Sequence, residues 1–367
     1  MKQAKNTSRR SFLGLGAAAA AGLSGALSPL VRAASRNRNV VCIYMIGGND
    51  SNNMIVPLDS PAYDAYARNR GPLVLSRDAL LPVRSDSANY GFHPSLPGLR
   101  DLYNQNVLAV VANVGRVAPD HQITQDGGDY TREMQLRFAP GARLAIPWAA
   151  TSARTPVLGL PHGVTVVSPS AGLLRDRALA SAAAAARPLG KLPSSRMGSQ
   201  LGSVLSVLKN GTFDQSAFLV PQSGYQTSSS QLDQQAALFA ELDDALPAFY
   251  RALRDLGMAE STVVYTDTEF NRTLTPNKFG GSDHAWGGHQ LVLGSSALGG
   301  QIYGQFPSMQ LGGADDAVGN GTWTPSISSA QYAATLAYWY GKMDFSDVPE
   351  YAASPDAMQN RLYFLLP

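Results

Sequence analysis

262-TVVYTDTEFNRTLTPNKFGGSDHAWGGHQLVLG-294 reads as strand, polar loop, strand, and it concentrates more chemistry than the rest of the chain. Thr262 to Thr266 are β-branched or aromatic, the composition of a buried strand. That strand delivers Asp267 and Glu269 at its carboxyl end, where open α/β sheets keep their ligand crevices. A turn-rich loop then brings Asp283, His284 and His289, just ahead of the second apolar run, Gln290 to Leu293. Hard-metal ligands and acid/base groups thus lie close in sequence, on loops held by strands.

Working outward, 40-VVCIYMI-46 is a continuous apolar run of strand length, which predicts an inner strand covered on both faces. Gly47-Gly48-Asn49-Asp50 ends it. If this strand is parallel to the one at Thr262, Asp50 reaches the same sheet edge as Glu269; the plainer role for Asp50 is a turn or helix cap. Leu96, Leu99 and Tyr103 space a helix over His93 to Gln105, followed by a strand at Val107 to Val111, the strand–helix–strand grammar of a parallel sheet. His93 reads as a residue packed at that helix start, and His162, between Pro161 and Gly163, as a turn residue.

Further strands are expected at Val164 to Val167 and Ala217 to Val220, with an edge strand at Gln301 to Gly304. Helical spacing marks Met197 to Leu208, stopped by Asn210-Gly211. It also marks a long helix from Gln231 to Leu256, kinked at Pro247, and a terminal helix from Ser329 to Tyr340 with Tyr332, Leu336 and Trp339 inward. An Ala-rich helix is expected at Leu179 to Ala186, and Asp120, His121, Asp126 and Asp129 read as a solvated loop. The sum is an α/β fold with a mostly parallel central sheet and helices on both faces.

Ser8-Arg9-Arg10-Ser11-Phe12-Leu13 precedes a Gly/Ala/Leu-rich run ending in Arg32-Ala33-Ala34, the pattern of a cleaved twin-arginine export signal. The expected organisation is therefore a signal over residues 1–34 and a single α/β domain over 35–367, located in the periplasm or outside the cell. Its partners would be the translocase during export and a small anionic substrate or polymer afterwards. Without the first 34 residues, 24 basic residues face 27 acidic ones, a net charge of −3. With no basic cluster interleaved with aromatics, a nucleic-acid grip is not expected, nor is a membrane span beyond the signal. The lone Cys42 excludes an internal disulfide, and its apolar strand predicts a buried thiol.

The chain has no Gly-x-Ser-x-Gly elbow, phosphate loop, His-Glu-x-x-His or paired cysteines. What remains is rich in oxygen: Asp50, Asp267, Glu269 and Asp283, with imidazoles at His284 and His289. Such donors suit Ca²⁺, Mg²⁺, Mn²⁺ or a mixed Zn²⁺ site that polarises a phosphoryl, sulfuryl or acyl oxygen. The bland alternative is a loop-stabilising hydrogen-bond network.

Four blocks carry a family resemblance: GGNDSNNMIVPLDSPAYDAY (47–66), GFHPSLPGLRDLYNQNVLAVVANVG (91–115), TVVYTDTEFNRT (262–273) through DHAWGGHQLVLGSSALGGQIYG (283–304), and QYAATLAYWYG (331–341). Together they resemble the bacterial family called domain of unknown function 1501, whose members are similar in architecture to alkaline phosphatases and sulfatases. The resemblance implies an alkaline-phosphatase-like α/β sandwich and a divalent metal held by Asp50, Glu269, Asp283 and His284. Arg272, with Glu269 in the family's Ser-Glu-Phe-Gly-Arg-Thr motif, would steady substrate charge. Where the family has Gly-Phe-Asp-Thr-His, this chain has Gly224-Tyr225-Gln226-Thr227-Ser228, and the family's earlier Ser-His segment is replaced near Pro119-Asp120-His121. Two functions are therefore expected in competition: a metal-assisted hydrolase of an anionic ester, or a degenerate member that binds a ligand without turnover.

Overall fold

In the computed structural model the described residues are 38–86, 88–115, 157–167, 192–211, 215–341 and 362–366. The expected signal, the Asp120–Asp129 cluster and the Ala-rich helix lie outside them. Asn39–Ile46 forms β1, buried at every residue but the last. Asp50 caps a one-turn helix, α1 (Ser51–Met54), by accepting from Asn52 N. Next come β2 (Ile55–Pro57), α2 (Ala62–Arg70), β3 (Leu81–Arg84) and β4 (Asn89–Phe92). These strands make a small antiparallel sheet in the order β2-β4-β3 that the sequence reading did not anticipate.

Helix α3 spans Pro97–Asn104 and leads into β5 (Leu108–Gly115). It starts later than its periodicity suggests. His93 and Ser95 form a turn, with Ser95 N donating to His93 Nδ1 (3.0 Å), and Pro97 takes the first-turn position where a missing N–H costs nothing. Short strands β6 (Val157–Gly159) and β7 (Thr165–Val167) precede α4 (Arg196–Lys209) and β8 (Ser216–Ser223). Helix α5 (Gln231–Asp255) continues through Pro247. Its Asp243 carboxylate accepts from Gly98 N (2.8 Å) and Leu99 N (2.7 Å), capping α3 from a neighbouring helix. The chain then gives β9 (Thr262–Thr268), β10 (Asn271–Arg272), β11 (His284–Ala285), β12 (Gly288–Leu293), β13 (Ile302–Tyr303), β14 (Ile327–Ser328) and α6 (Ser329–Gly341).

Nine strands form the main sheet, in the order β13-β5-β12-β9-β1-β8-β7-β6, with β14 also on β5. β1 lies between β8 and β9, parallel to both. β12 is antiparallel to β9 and to β5, so β5 runs with β9, and only β12 and β7 oppose the common direction. The sheet is thus mostly parallel among the described residues.

Successive side chains of β1 feed opposite layers, as the two-residue period of a strand requires. Val41, Ile43 and Met45 pack with α3, α4 and α5, while Val40, Cys42 and Tyr44 pack with α6 and Phe364. Phe239, Leu242, Leu246, Phe249 and Leu253 give α5 its buried stripe, each contributing roughly 1.5–3 kcal/mol by burial. Cys42 is fully buried, as its strand composition implies, and burial pushes its thiol pKa up. Among the described residues no helix is long and apolar enough to cross a membrane.

Candidate functional site

The carboxyl ends of β1 and β9 lie side by side, with Tyr44 opposite Asp267, so the turn after β1 meets the loop after β9. Gly47 (φ +110°) and Gly48 (φ +83°) make that turn. A Cβ on Gly47 would lie 2.3 Å from Gln226 N, and one on Gly48 1.9 Å from the Phe270 ring, so only glycine fits either place.

The turn sends Asp50 inward. Its side chain and that of Arg70, at the end of α2, are both 0% exposed and form an ion pair through Asp50 Oδ2. Gln231 Nε2, from the first residue of α5, donates to the same oxygen, and Asn52 N donates to Oδ1 (3.1 Å). Arg70 also donates to Asn53 Oδ1 (2.9 Å), Thr273 O (3.0 Å) and Leu274 O (2.9 Å). Tyr66 OH also donates to Asn53 Oδ1 (2.9 Å). Burial lowers the Arg70 pKa to about 9, which leaves it cationic at neutral pH. Taking two ions out of water is costly, and this pair persists because the surrounding groups satisfy nearly every donor and lone pair.

Glu269 takes the other side of the turn. Gly47 N donates to both of its carboxylate oxygens (3.1 and 3.0 Å) and Gly48 N to Oε2 (3.2 Å). Burial raises its pKa above the usual carboxylate range, against the lowering effect of those amides. Arg272 is fully buried beneath the same turn. It donates to Gly48 O (3.0 Å), Ser282 O (2.7 Å), Gly47 O (2.6 Å), Tyr225 O (3.1 Å) and Gln226 Oε1 (3.3 Å). Arg272, expected to steady substrate charge, is here a clasp joining three loops. Gln226, at the altered family motif, is one of its acceptors.

His284 pairs with Arg272 across the β10–β11 hairpin, and its ring stacks on Phe270 with centroids 3.9 Å apart. Burial, then the nearby Arg272 charge, lowers its pKa to about 4, so the imidazole is neutral at pH 7. Asp283 is exposed and accepts from Asn277 Nδ2 (3.1 Å). His289 is a core residue: its Nδ1 accepts from Asn113 N (3.2 Å) and its ring stacks on Phe306. His93 and His162 take the packing and turn roles expected of them.

The four expected metal ligands are therefore held by different partners: Asp50 by Arg70, Glu269 by glycine amides, Asp283 by Asn277 and His284 by Phe270. Among the described residues no three His, Cys, Asp or Glu side chains come together to hold a metal. The donor set does not fit the implied ion, because its one fully buried carboxylate already has a protein cation. Arg70 and Gln231 escaped the sequence reading because neither lies in a motif; only the fold brings α2 and α5 against the β1 turn.

A small recess, with room for about one water, lies at the sheet's carboxyl edge, lined by the end of β9 from Asp267 to Phe270, by Gly115, Trp286 and Gln290, and by Ser329 at the start of α6. The strands that shape it are those of the sequence block that carries the expected site. Residues 218–358 match a family described as a protein of unknown function, DUF1501. The DUF1501 match runs from β8 past α6, so it contains Glu269, Arg272, Asp283 and His284, while Asp50 and Arg70 lie before it. No curated protein matches the chain. One solved structure, titled "Crystal structure of Ps i-CgsB in complex with k-i-k-neocarrahexaose", is similar at a TM-score of 0.26 and 10% identity, over 85% of this chain and 74% of that one. A likeness that faint carries no argument about either fold or ligand.

Proposed function

We propose that this chain is an exported, alkaline-phosphatase-like α/β protein whose carboxyl-edge crevice binds a ligand without metal-assisted turnover. The mostly parallel sheet with helices on both faces is consistent with that architecture, and the twin-arginine pattern at Arg9-Arg10 supports export. The observation that carries the reading is the Asp50–Arg70 pair. A guanidinium neutralises the carboxylate that a hydrolytic metal would need, and Gln231 and Asn52 complete its coordination. Arg272 likewise donates to the backbone carbonyls of three loops, which ties its guanidinium to the protein. The hydrolase reading requires a metal where Arg70 supplies the positive charge.

Elemental analysis of the purified protein, with thermal melts in Mn²⁺, Ca²⁺ and Zn²⁺, tests this. The expected results are no stoichiometric metal, no specific rise in melting temperature and no hydrolysis of aryl phosphates or sulfates. One equivalent of metal lost in both Glu269→Ala and His284→Ala would restore the hydrolase reading.

A further inference from the structure

We infer that His93 is an acid-sensitive latch, which holds α1 against the α3 turn and α5 while its imidazole is neutral and frees α1 when the ring takes up a proton. The inference concerns how the Asp50 helix is held and stands whether or not the crevice takes a ligand.

α1 is the hub of the carboxyl-edge cluster, and each of its four residues reaches a different segment. Ser51 Oγ donates to Asn271 Oδ1 (3.0 Å) and accepts from His289 N (2.8 Å). Asn52 Nδ2 donates to Arg272 O (2.7 Å), while its Oδ1 accepts from Trp323 Nε1 (2.8 Å). Asn53 Nδ2 donates to Leu73 O (3.0 Å). Met54, the last residue, offers its carbonyl to His93 N (3.0 Å), so His93 closes the helix end that Asp50 opens.

The His93 side chain is gripped from two other sides. Its Nδ1 accepts from Ser95 N (3.0 Å), which puts the single proton of the neutral ring on Nε2. Its ring meets that of Phe239 on α5 edge to face, with centroids 5.1 Å apart. α5 in turn reaches Asp50, through Gln231 and through Gln235 Nε2, which donates to Asp50 O (2.6 Å). α1, the α3 turn and α5 therefore meet at one imidazole. A proton on Nδ1 turns that acceptor into a donor, sets it against the Ser95 N–H and places a charge where only 3% of the residue is exposed. The ring can then be solvated only by leaving its place.

No neighbouring charge offsets this. α1 and β4 carry no charged side chain, Asp50 is paired with Arg70, and Arg100 on α3 is paired with Asp101 (2.8 Å). On α5, Glu241 faces α4 through Met197 N (2.9 Å) and Asp244 is exposed. Burial alone lowers the His93 pKa to about 4, so the latch is closed at neutral pH. Asp243, one turn along α5 from Phe239, acts against opening: burial raises its pKa, so the closed state keeps a proton there that an open state sheds.

Hydrogen exchange followed by NMR on the full chain at pH 7.5 and 5, expressed as protection factors, tests the latch. A ring that moves from a pKa of about 4 to 6.5 on opening favours the open state by up to roughly thirtyfold at pH 5. Protection of the His93, Ser95 and Asn52 amides should therefore fall together by roughly tenfold, while α4 and β8 keep theirs. His93→Asn, whose side-chain oxygen accepts from Ser95 N without titrating, should hold protection constant. In wild type the His93 ring nitrogens should titrate over the same pH range as the amides open, a readout that needs no variant. Loss confined to Ser95 overturns the inference, because the ring then swings out alone. So does a loss shared equally by α4 and β8, a drop that persists in a folded His93→Asn, or a ring that titrates with all three amides still protected.

Discussion

At the scale of single residues the deciding contact is the one between Asp50 and Arg70. Both side chains are wholly removed from solvent, so losing one partner leaves an uncompensated buried charge, at a cost of about 3–5 kcal/mol. Arg70→Ala should lower unfolding free energy by that amount in urea melts. Asp50→Asn alone should also destabilise, because it strands the guanidinium. Together they should cost less than the sum of the two singles, since neither charge then remains, with a coupling of roughly 0.5–3 kcal/mol. Strict additivity would mean the pair does not act as one unit. The double variant will not regain wild-type stability, because Thr273 O and Leu274 O lose the donors that Arg70 gives them. From the sequence Asp50 could be read either as a ligand or as a cap. It is a cap with a buried counter-ion, and the counter-ion was hidden because pairing between positions 50 and 70 depends on how α2 folds back over the β1 turn.

Among the elements, the β1 turn is the joint on which the site depends. Gly47 combines a left-handed φ of +110° with a space that ends 2.3 Å away at Gln226 N, and its amide anchors Glu269. Gly47→Ala therefore meets strain of about 1–3 kcal/mol and a backbone clash together, and the loop at Gln226 must move. We expect a lower melting temperature and loss of amide-exchange protection in both the β1 turn and the segment around Tyr225. Loss confined to the turn would show that Arg272 and Glu269 do not tie these loops together. The inner strands were readable because residues such as Val40 to Met45 and Thr262 to Thr266 are buried on both faces and carry long apolar runs. β2, β3 and β4 were not. They are only three or four residues long, and β3, with its buried Val83 between exposed Pro82 and Arg84, has no run to detect. The antiparallel insertion of β12 between β5 and β9 was equally hidden, since a buried strand reads the same in either direction.

Across the described molecule the titrating groups that matter are three histidines held in the neutral form, His93 and His289 buried and His284 half-buried. Burial lowers the pKa of His93 and His284 to about 4 and that of His289 to about 3, from 6.5. Between pH 6.5 and 4 the unfolded chain binds these protons and the native chain does not, so native stability must fall as pH falls through that window. Each histidine can contribute a slope of up to about 1.4 kcal/mol per pH unit. Glu269 and Asp243 act in the opposite sense. Their raised pKa values let the native state hold protons that the unfolded state has lost, so they return some stability as pH falls through their folded values. Three histidines act in the destabilising sense against these two carboxylates, so the net slope is expected to follow the histidines. Urea titrations at pH 7.5, 6 and 5 should show the midpoint dropping with acid. His93→Asn, which keeps an acceptor for Ser95 N, should flatten the slope by about one proton. A midpoint constant from pH 7.5 to 5 would mean these imidazoles are accessible to protons in the native state. The packing of His93 against Phe239 and of His289 against Phe306 would then have to be looser than the fold places them.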